Sequence, residues 1–301
     1  MKRTPLWILL ITVFAIGFTA CDEDSTNEPV DPDVLPPTSL RAASADQALI
    51  LHWEPSASEA QDNFGGYKIL LVNSDTNEEM FENASRGDGH TVFGLDNGTR
   101  YDVQVWAVTT QGKQSTASAS IEWAPAIRRE VNQDDQSIRV YATTSSQFNS
   151  GLDMFNPSGI CEVIPQASQE FVDRGDLYVD APNNTSNFLE ISSPHTASNF
   201  TGQITQFSTV YYNADDLDEH TVTTPPISST YTNQEVTITN ADVDEGRIIY
   251  GRLKRGTDFN YFRLLVHRGS NGKLVQGDGA DRYVEFSVSF QHIKNVPFAK
   301  K

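Results

Sequence analysis

Few residues in this chain have the types and spacing to do chemistry. Two cysteines, Cys21 and Cys161, supply its only thiols, too few for a disulfide scaffold or a thiolate metal cluster. His195 and His220 fall in polar loops; either could ligate a metal, but the expected role of each is a solvated loop histidine. Asn240-Ala241-Asp242-Val243-Asp244-Glu245-Gly246 opens like a calcium loop, with oxygen ligands at positions 1, 3 and 5. Its glycine stands one place late, and Gly251 occupies the position where a bidentate glutamate belongs. Arg252 and Lys254 share one face of a strand, and Arg263 and His267 share a face of the next at matching parity. Paired, those four make a basic ribbon that could hold an anionic group, or that neutralises the domain's own acids across the sheet. A nucleophile elbow, a zinc-protease helix motif and a phosphate loop are all missing. No catalytic residues, no metal site and no cofactor are therefore predicted, and the chain is expected not to be an enzyme.

The elements that carry these residues begin with an export signal. Lys2 and Arg3 precede a thirteen-residue apolar run, 6–18, and the small pair Thr19-Ala20 ends at Cys21. A charged head, a short apolar centre and a small-residue exit make a secretory signal over residues 1–20. As a helix the run rises about 20 Å, too short for a bilayer core of about 30 Å. Phe18 is bulky for ordinary cleavage, which wants small residues at both −1 and −3. Phe18-Thr19-Ala20-Cys21 resembles a bacterial lipobox, which implies a lipid on Cys21 and an anchor in the membrane. Cys21-Asp22-Glu23-Asp24 is similar to the surface-export signal of lipoproteins in the Bacteroidota, whereas in enterobacteria an Asp after the cysteine implies inner-membrane retention. The implied location is the bacterial cell envelope, at the outer membrane or the cell surface, with the leaflet left open. With Cys21 lipidated, Cys161 in its strand-like run is expected as a buried, small apolar residue. Residues 22–37 hold six acids, four prolines and no base; like charge and proline keep such a stalk extended.

From Thr38 the pattern becomes short alternating strands. Leu49, Leu51 and Trp53 alternate with Ile50 and His52, and Tyr101, Val103, Val105 and Ala107 with Asp102, Gln104 and Trp106. Period two with one apolar face marks half-buried strands, and about seven of them without a helical stretch predict an antiparallel sandwich over 38–125. Pro36-Pro37-Thr38-Ser39-Leu40, Leu51-His52-Trp53-Glu54-Pro55, Gly66-Tyr67-Lys68-Ile69 and Leu95-Asp96-Asn97-Gly98-Thr99-Arg100-Tyr101 resemble a fibronectin type III domain. The resemblance implies an immunoglobulin-like sandwich with Trp53, Tyr67, Leu95 and Tyr101 in its core, the Tyr101 hydroxyl bonding back to the preceding turn. Parity places Trp106 on the outer face near Leu70 and Val72, a candidate interaction surface whose expected use is packing against the neighbouring domain. Arg86-Gly87-Asp88 and Arg174-Gly175-Asp176 each lack the loop context of an integrin-binding tripeptide and read as turn chemistry.

Residues 126–136 are polar and are predicted to be a hinge. Beyond them, segments such as 137–141, 176–179, 188–191, 203–212, 236–238, 247–254, 259–267 and 283–291 alternate as strands. They predict a second antiparallel β-sandwich over 137–301 in an all-β chain, with Val284, Phe286, Val288 and Phe290 inward and Glu285, Ser287 and Ser289 outward. The order of these segments resembles, through short motifs only, haemophore-type lipoproteins of the Bacteroidota, so haem or nutrient capture is an alternative function. No ligand residue carries over from that family.

Of 301 residues 40 are acidic and 22 basic, a formal charge of −18, which repels polyanions and excludes nucleic acid as a partner. The acidity is uneven: residues 126–246 hold 4 bases and 18 acids, and 247–301 hold 11 bases and 4 acids. The function expected is noncatalytic binding or adhesion to a protein or glycan ligand, with the first sandwich as spacer. A further alternative is an accessory binding module of a polysaccharide-degrading system.

Overall fold

The computed structural model describes residues 34–115, 119–197, 203–218, 220–222 and 224–298. The signal segment, Cys21 and the stalk up to Asp33 lie outside the described residues. The stalk's last residues pack on the first sandwich: Val34 is buried, and Leu35 is pinned by Ser58 Oγ and Ser56 Oγ on its amide and carbonyl.

Seven strands make the N-terminal sandwich: β1 (Thr38–Ala45), β2 (Ala48–Glu54), β3 (Phe64–Asn73), β4 (Glu79–Ala84), β5 (Gly89–Phe93), β6 (Tyr101–Thr109) and β7 (Ala119–Trp123). They form a three-stranded sheet, β1-β2-β5, against a four-stranded one, β4-β3-β6-β7, with every pairing antiparallel. The period-two alternation buries Leu49, Leu51, Trp53, Tyr67, Ile69, Leu71, Val103 and Val105 between the sheets. Trp53 packs on Tyr67 with ring centroids 5.1 Å apart, and its indole N–H donates to the Gly87 carbonyl at 3.1 Å. Leu95 is buried beside them, and the Tyr101 hydroxyl accepts the Asp96 amide at 3.2 Å, closing the turn before β6.

The C-terminal part contributes β8 (Ile127–Arg129), β9 (Ile138–Tyr141), β10 (Gly151–Asp153), β11 (Glu162–Ile164), a short helix α1 (Gln169–Arg174), β12 (Leu177–Asp180), β13 (Phe188–Ser192), β14 (Ile204–Asn213), β15 (Tyr231–Asn233), β16 (Glu235–Thr239), β17 (Arg247–Arg255), β18 (Asp258–Val266) and β19 (Tyr283–Phe290). A five-stranded sheet, β11-β10-β12-β13-β16, faces a seven-stranded one, β15-β14-β17-β18-β19-β8, with β9 also on β19. Leu152, Cys161, Leu177, Val179, Leu189 and Ile191 from the first meet Ile249, Leu253, Phe262, Leu264, Phe286 and Val288 from the second. Cys161 is fully buried there, and burial pushes its thiol well above the ordinary range.

The two sandwiches share a core, and residues from Val34 onward form one compact unit. The outer face of the seven-stranded sheet is covered: Ile248, Tyr250, Tyr261 and Leu265 join the same hydrophobic cluster as Trp123, Ala126 and Ala42. This changes three expectations. Residues 126–136 do not all form a hinge, because β8 pairs with the end of β19 (Ile127 opposite Phe290). Alternation correctly separates Phe286 and Val288 from Ser287 and Ser289. The two serines are nevertheless buried, because the face they point to lies under a second layer. Trp106 is not among the residues that join the sandwiches; the junction runs through β1 and the β7–β8 segment.

Candidate functional site

At one end of the C-terminal sandwich the last residue of β10 and the residues just before β12 and β14 converge with the end of β17, the start of β18 and the end of β19. They enclose a cleft of about 430 Å³, within the range of small-ligand sites. Asp153, Phe155, Gln203, Arg255, Asn260 and His292 contribute to its wall.

Local chemistry sets each of these side chains. Helix α1 is N-capped by Ser168, whose Oγ accepts the Phe171 amide at 3.1 Å, and it ends on Arg174. The Arg174 guanidinium pairs with Asp153, Glu162 and Glu170, which raise its pKa and fix it against the cleft. Asp153 also accepts the Phe155 amide at 3.2 Å. Behind it lies Asp176, fully buried, whose two oxygens accept the Met154 amide at 2.9 Å and Arg255 Nη2 at 3.1 Å. Burial, and then the neighbouring Asp153 charge, push Asp176 up to about 7. Its carbonyl accepts the Thr205 hydroxyl, so one aspartate ties the five-stranded sheet to β14 and β17 of the other. Such a buried carboxylate persists only because it is paired and hydrogen-bonded.

Asn260 is 2% exposed, and its amide nitrogen donates to the Gln291 and His292 carbonyls at 3.1 and 3.0 Å. Two carbonyl partners dictate which end of the amide is nitrogen, so Oδ1 is its acceptor end. Phe155 lies over Phe290, centroids 5.5 Å apart at 17°, with His292 6.0 Å away. Burial lowers the His292 pKa and favours the neutral ring.

The residues singled out in the sequence lie elsewhere. Arg252, Lys254, Arg263 and His267 do share one sheet face, as parity requires, but they make no anion-holding ribbon. Arg263 is fully buried against the N-terminal sandwich, donating to the Ser44 carbonyl at 2.9 Å. Arg252 lies against the Tyr231 and Phe259 rings and donates to Gln206 Oε1, His267 bonds Ser287, and Lys254 is exposed. The register places Arg252 opposite Tyr261 and Arg263 opposite Tyr250, so aromatic residues separate the cations. Trp106, Leu70 and Val72 are half-buried on the outer face of the four-stranded sheet beside Phe81, which is 51% exposed under the Lys68 ammonium.

His195 is exposed, as expected of a loop histidine, but His220 is not. It is 8% exposed, its ring 4.3 Å from that of Tyr212, and burial followed by the Arg263 charge lowers its pKa to about 4. The polar segment around it gives no sign of this cover in sequence. Among the described residues no group of three metal-ligating side chains comes together, and residues 243–246 line a separate pocket of about 420 Å³ with Asn213, Arg247 and Leu274. Both Arg-Gly-Asp tripeptides are structural. Arg86 lies over Phe64 and donates to the Gln61 and Phe64 carbonyls, while Arg174 and Asp176 frame the cleft wall.

None of the cleft residues carries a motif, since each is ordinary within its own segment and they meet only through sheet pairing. Arg174 alone belongs to a tripeptide, which serves there as the end of α1 and its C-cap, Gly175.

Residues 35–124 match the family model of the fibronectin type III domain. Solved structures to which the chain is similar include the FN5 domain of Drosophila Lar, at 21% identity, covering 31% of this chain and 97% of that one with a TM-score of 0.24. The third fibronectin III domain of human KIAA0343 protein is 19% identical over 35% of this chain and 94% of its own, with a TM-score of 0.29. The chicken CNTN1 FN1–FN3 segment is 13% identical, over 76% and 64%, at 0.32. Comparison with curated proteins finds no match.

Proposed function

Residues 35–124 being a fibronectin type III domain, we propose that this chain is a noncatalytic binding protein of the bacterial cell envelope, anchored by lipid on Cys21. The fibronectin domain serves as a fixed platform, and the C-terminal sandwich carries the ligand cleft. The observation that carries this reading is the shared core between the sandwiches. Tyr250, Tyr261 and Leu265 of one domain are buried in the same cluster as Trp123 of the other, so the cleft is held at a set orientation on the platform. A spacer with a mobile joint would expose that apolar face, and burying it is favoured by about 25 cal/mol per Å².

The anchor reading rests on Phe18-Thr19-Ala20-Cys21 and on the acidic, proline-rich residues that follow it in sequence. Among the described residues no helix is long and apolar enough to cross one. The net charge of −18 makes a polyanionic partner unfavourable.

Growth of an expressing bacterial host with an alkyne-tagged fatty acid tests the anchor. The intact protein should take up label and fractionate with membranes, whereas Cys21→Ser should lose the label and leave the membrane fraction. Label retained on Cys21→Ser contradicts the anchor, and product release from polysaccharide substrates contradicts the noncatalytic reading.

A further inference from the structure

We infer that the cleft of the C-terminal sandwich binds a neutral, polyhydroxylated ligand, a mono- or short oligosaccharide; this rests on the cleft's assignment as the binding site. Three observations select that class.

The first is charge. The lining holds two acids, Asp153 and Asp173, and two bases, Arg174 and Arg255. Asp153 is committed to Arg174, and Arg255 to the buried Asp176. An anionic ligand would have to compete with carboxylates already on those guanidiniums, and a cation at Asp153 with the Arg174 guanidinium already there, while Asp173 accepts the Gln169 amide and carries no guanidinium. A neutral ligand disturbs neither pair.

The second is the set of polar atoms without partners. Gln203 Oε1, His292 Nδ1 and Arg255 Nε, all on residues of the cleft lining, are buried without a partner. Beside them the Asn260 amide, on a residue 2% exposed, is locked by two backbone carbonyls. The site thus offers rigid acceptors and a donor side by side. Buried polar groups are costly unpaired, and a hydroxyl, which both donates and accepts, matches such a set better than a pure donor or a pure acceptor.

The third is the wall. Phe155, backed by Phe290 and flanked by His292, adds an aromatic surface to this polar lining. A sugar ring carries an apolar C–H face and a hydroxyl rim, the same division.

The test uses the full-length protein in a detergent without a sugar head group, titrated by ligand-observed NMR and calorimetry. Probes are the methyl glycosides of glucose, galactose, mannose and N-acetylglucosamine, with maltose, cellobiose, galacturonic acid and haemin. Saturable binding of a neutral sugar is expected. Gln203→Leu should weaken it about tenfold and Phe155→Ala at least as much, with the Gln203→Leu melting temperature unchanged. Trp106→Ala on the other domain should leave affinity as it was. Affinity indifferent to both cleft substitutions overturns the site while leaving a binding protein. Binding confined to galacturonic acid or haemin overturns the ligand class, and no binding across the panel overturns the inference. Loss of fatty-acid label would instead count against the anchored reading, which the titrations do not touch.

Discussion

The guanidinium of Arg263 donates to the carbonyl oxygen of Ser44 at 2.9 Å, across 219 positions of sequence and across the junction of two sandwiches. Arg128 donates to the same carbonyl at 2.9 Å, and the Ser44 hydroxyl accepts Trp123 Nε1 at 2.9 Å while donating to the Ala124 carbonyl. Ser44 is thus a polar hub in an otherwise apolar seam, reinforced by the Ala124 amide on the Phe298 carbonyl and by Gln291 on the Pro125 carbonyl.

Ser44→Ala removes the acceptor of a buried indole N–H and should cost about 1–3 kcal/mol, the penalty of an unmet buried donor. Chemical denaturation measures it; an effect below about 0.5 kcal/mol would mean the hub is ornamental.

Trp123 and Trp106 should separate cleanly. Trp123 is fully enclosed in the shared cluster, so Trp123→Ala is expected to cost about 3–5 kcal/mol. Trp106 is half-buried on the free face of its sheet, and Trp106→Ala is expected to stay within about 0.5 kcal/mol. Equal losses in the two variants would place Trp106 in a packed interface after all.

Much of this architecture is legible in sequence because alternation reports which residues share a face. It identifies the Trp53–Tyr101 core and most strands of the C-terminal sandwich, including the inward set Val284, Phe286, Val288 and Phe290. It does not report what covers the opposite face. Arg263, Ser287 and Ser289 have the types and parity of solvent-facing residues, and only what packs over that face, such as Ser44 of β1 on Arg263, makes them interior. The segment with Arg128 and Arg129 looks like a linker for the same reason: three residues suffice for β8 once β19 offers a partner. The cleft is hidden for a different cause. Asp153, Gln203, Asn260 and His292 lie far apart in the chain, and no local pattern requires their ends of the strands to meet.

The pH dependence should contain two opposed contributions. His220, lowered to about 4 from 6.5, binds its proton more readily unfolded, so its contribution is lost as pH falls from 6.5 toward 4. Asp176, raised to about 7 from 3.8, binds its proton more readily folded, so its contribution is lost as pH rises through that window. In thermal melts His220→Phe should leave stability falling from pH 4 to 7, while Asp176→Asn should leave it rising. Unchanged profiles in both variants would contradict the assigned environments.

Thiol titration joins the anchor to the fold. Cys161 is buried and its thiol raised, so it should resist a thiol reagent until the chain is unfolded. With Cys21 held as a thioether, the folded protein should show no reactive thiol and the denatured protein one. A reactive thiol in the folded membrane-derived protein would identify an unmodified Cys21.

The central claim is that the fibronectin type III domain and the C-terminal sandwich are one body, and scanning calorimetry of the full-length protein addresses it most directly. Trp53→Ala in one core and Phe286→Ala in the other should each move the same single transition, with calorimetric and van't Hoff enthalpies equal. Two transitions, each moved by only one of the substitutions, would contradict it.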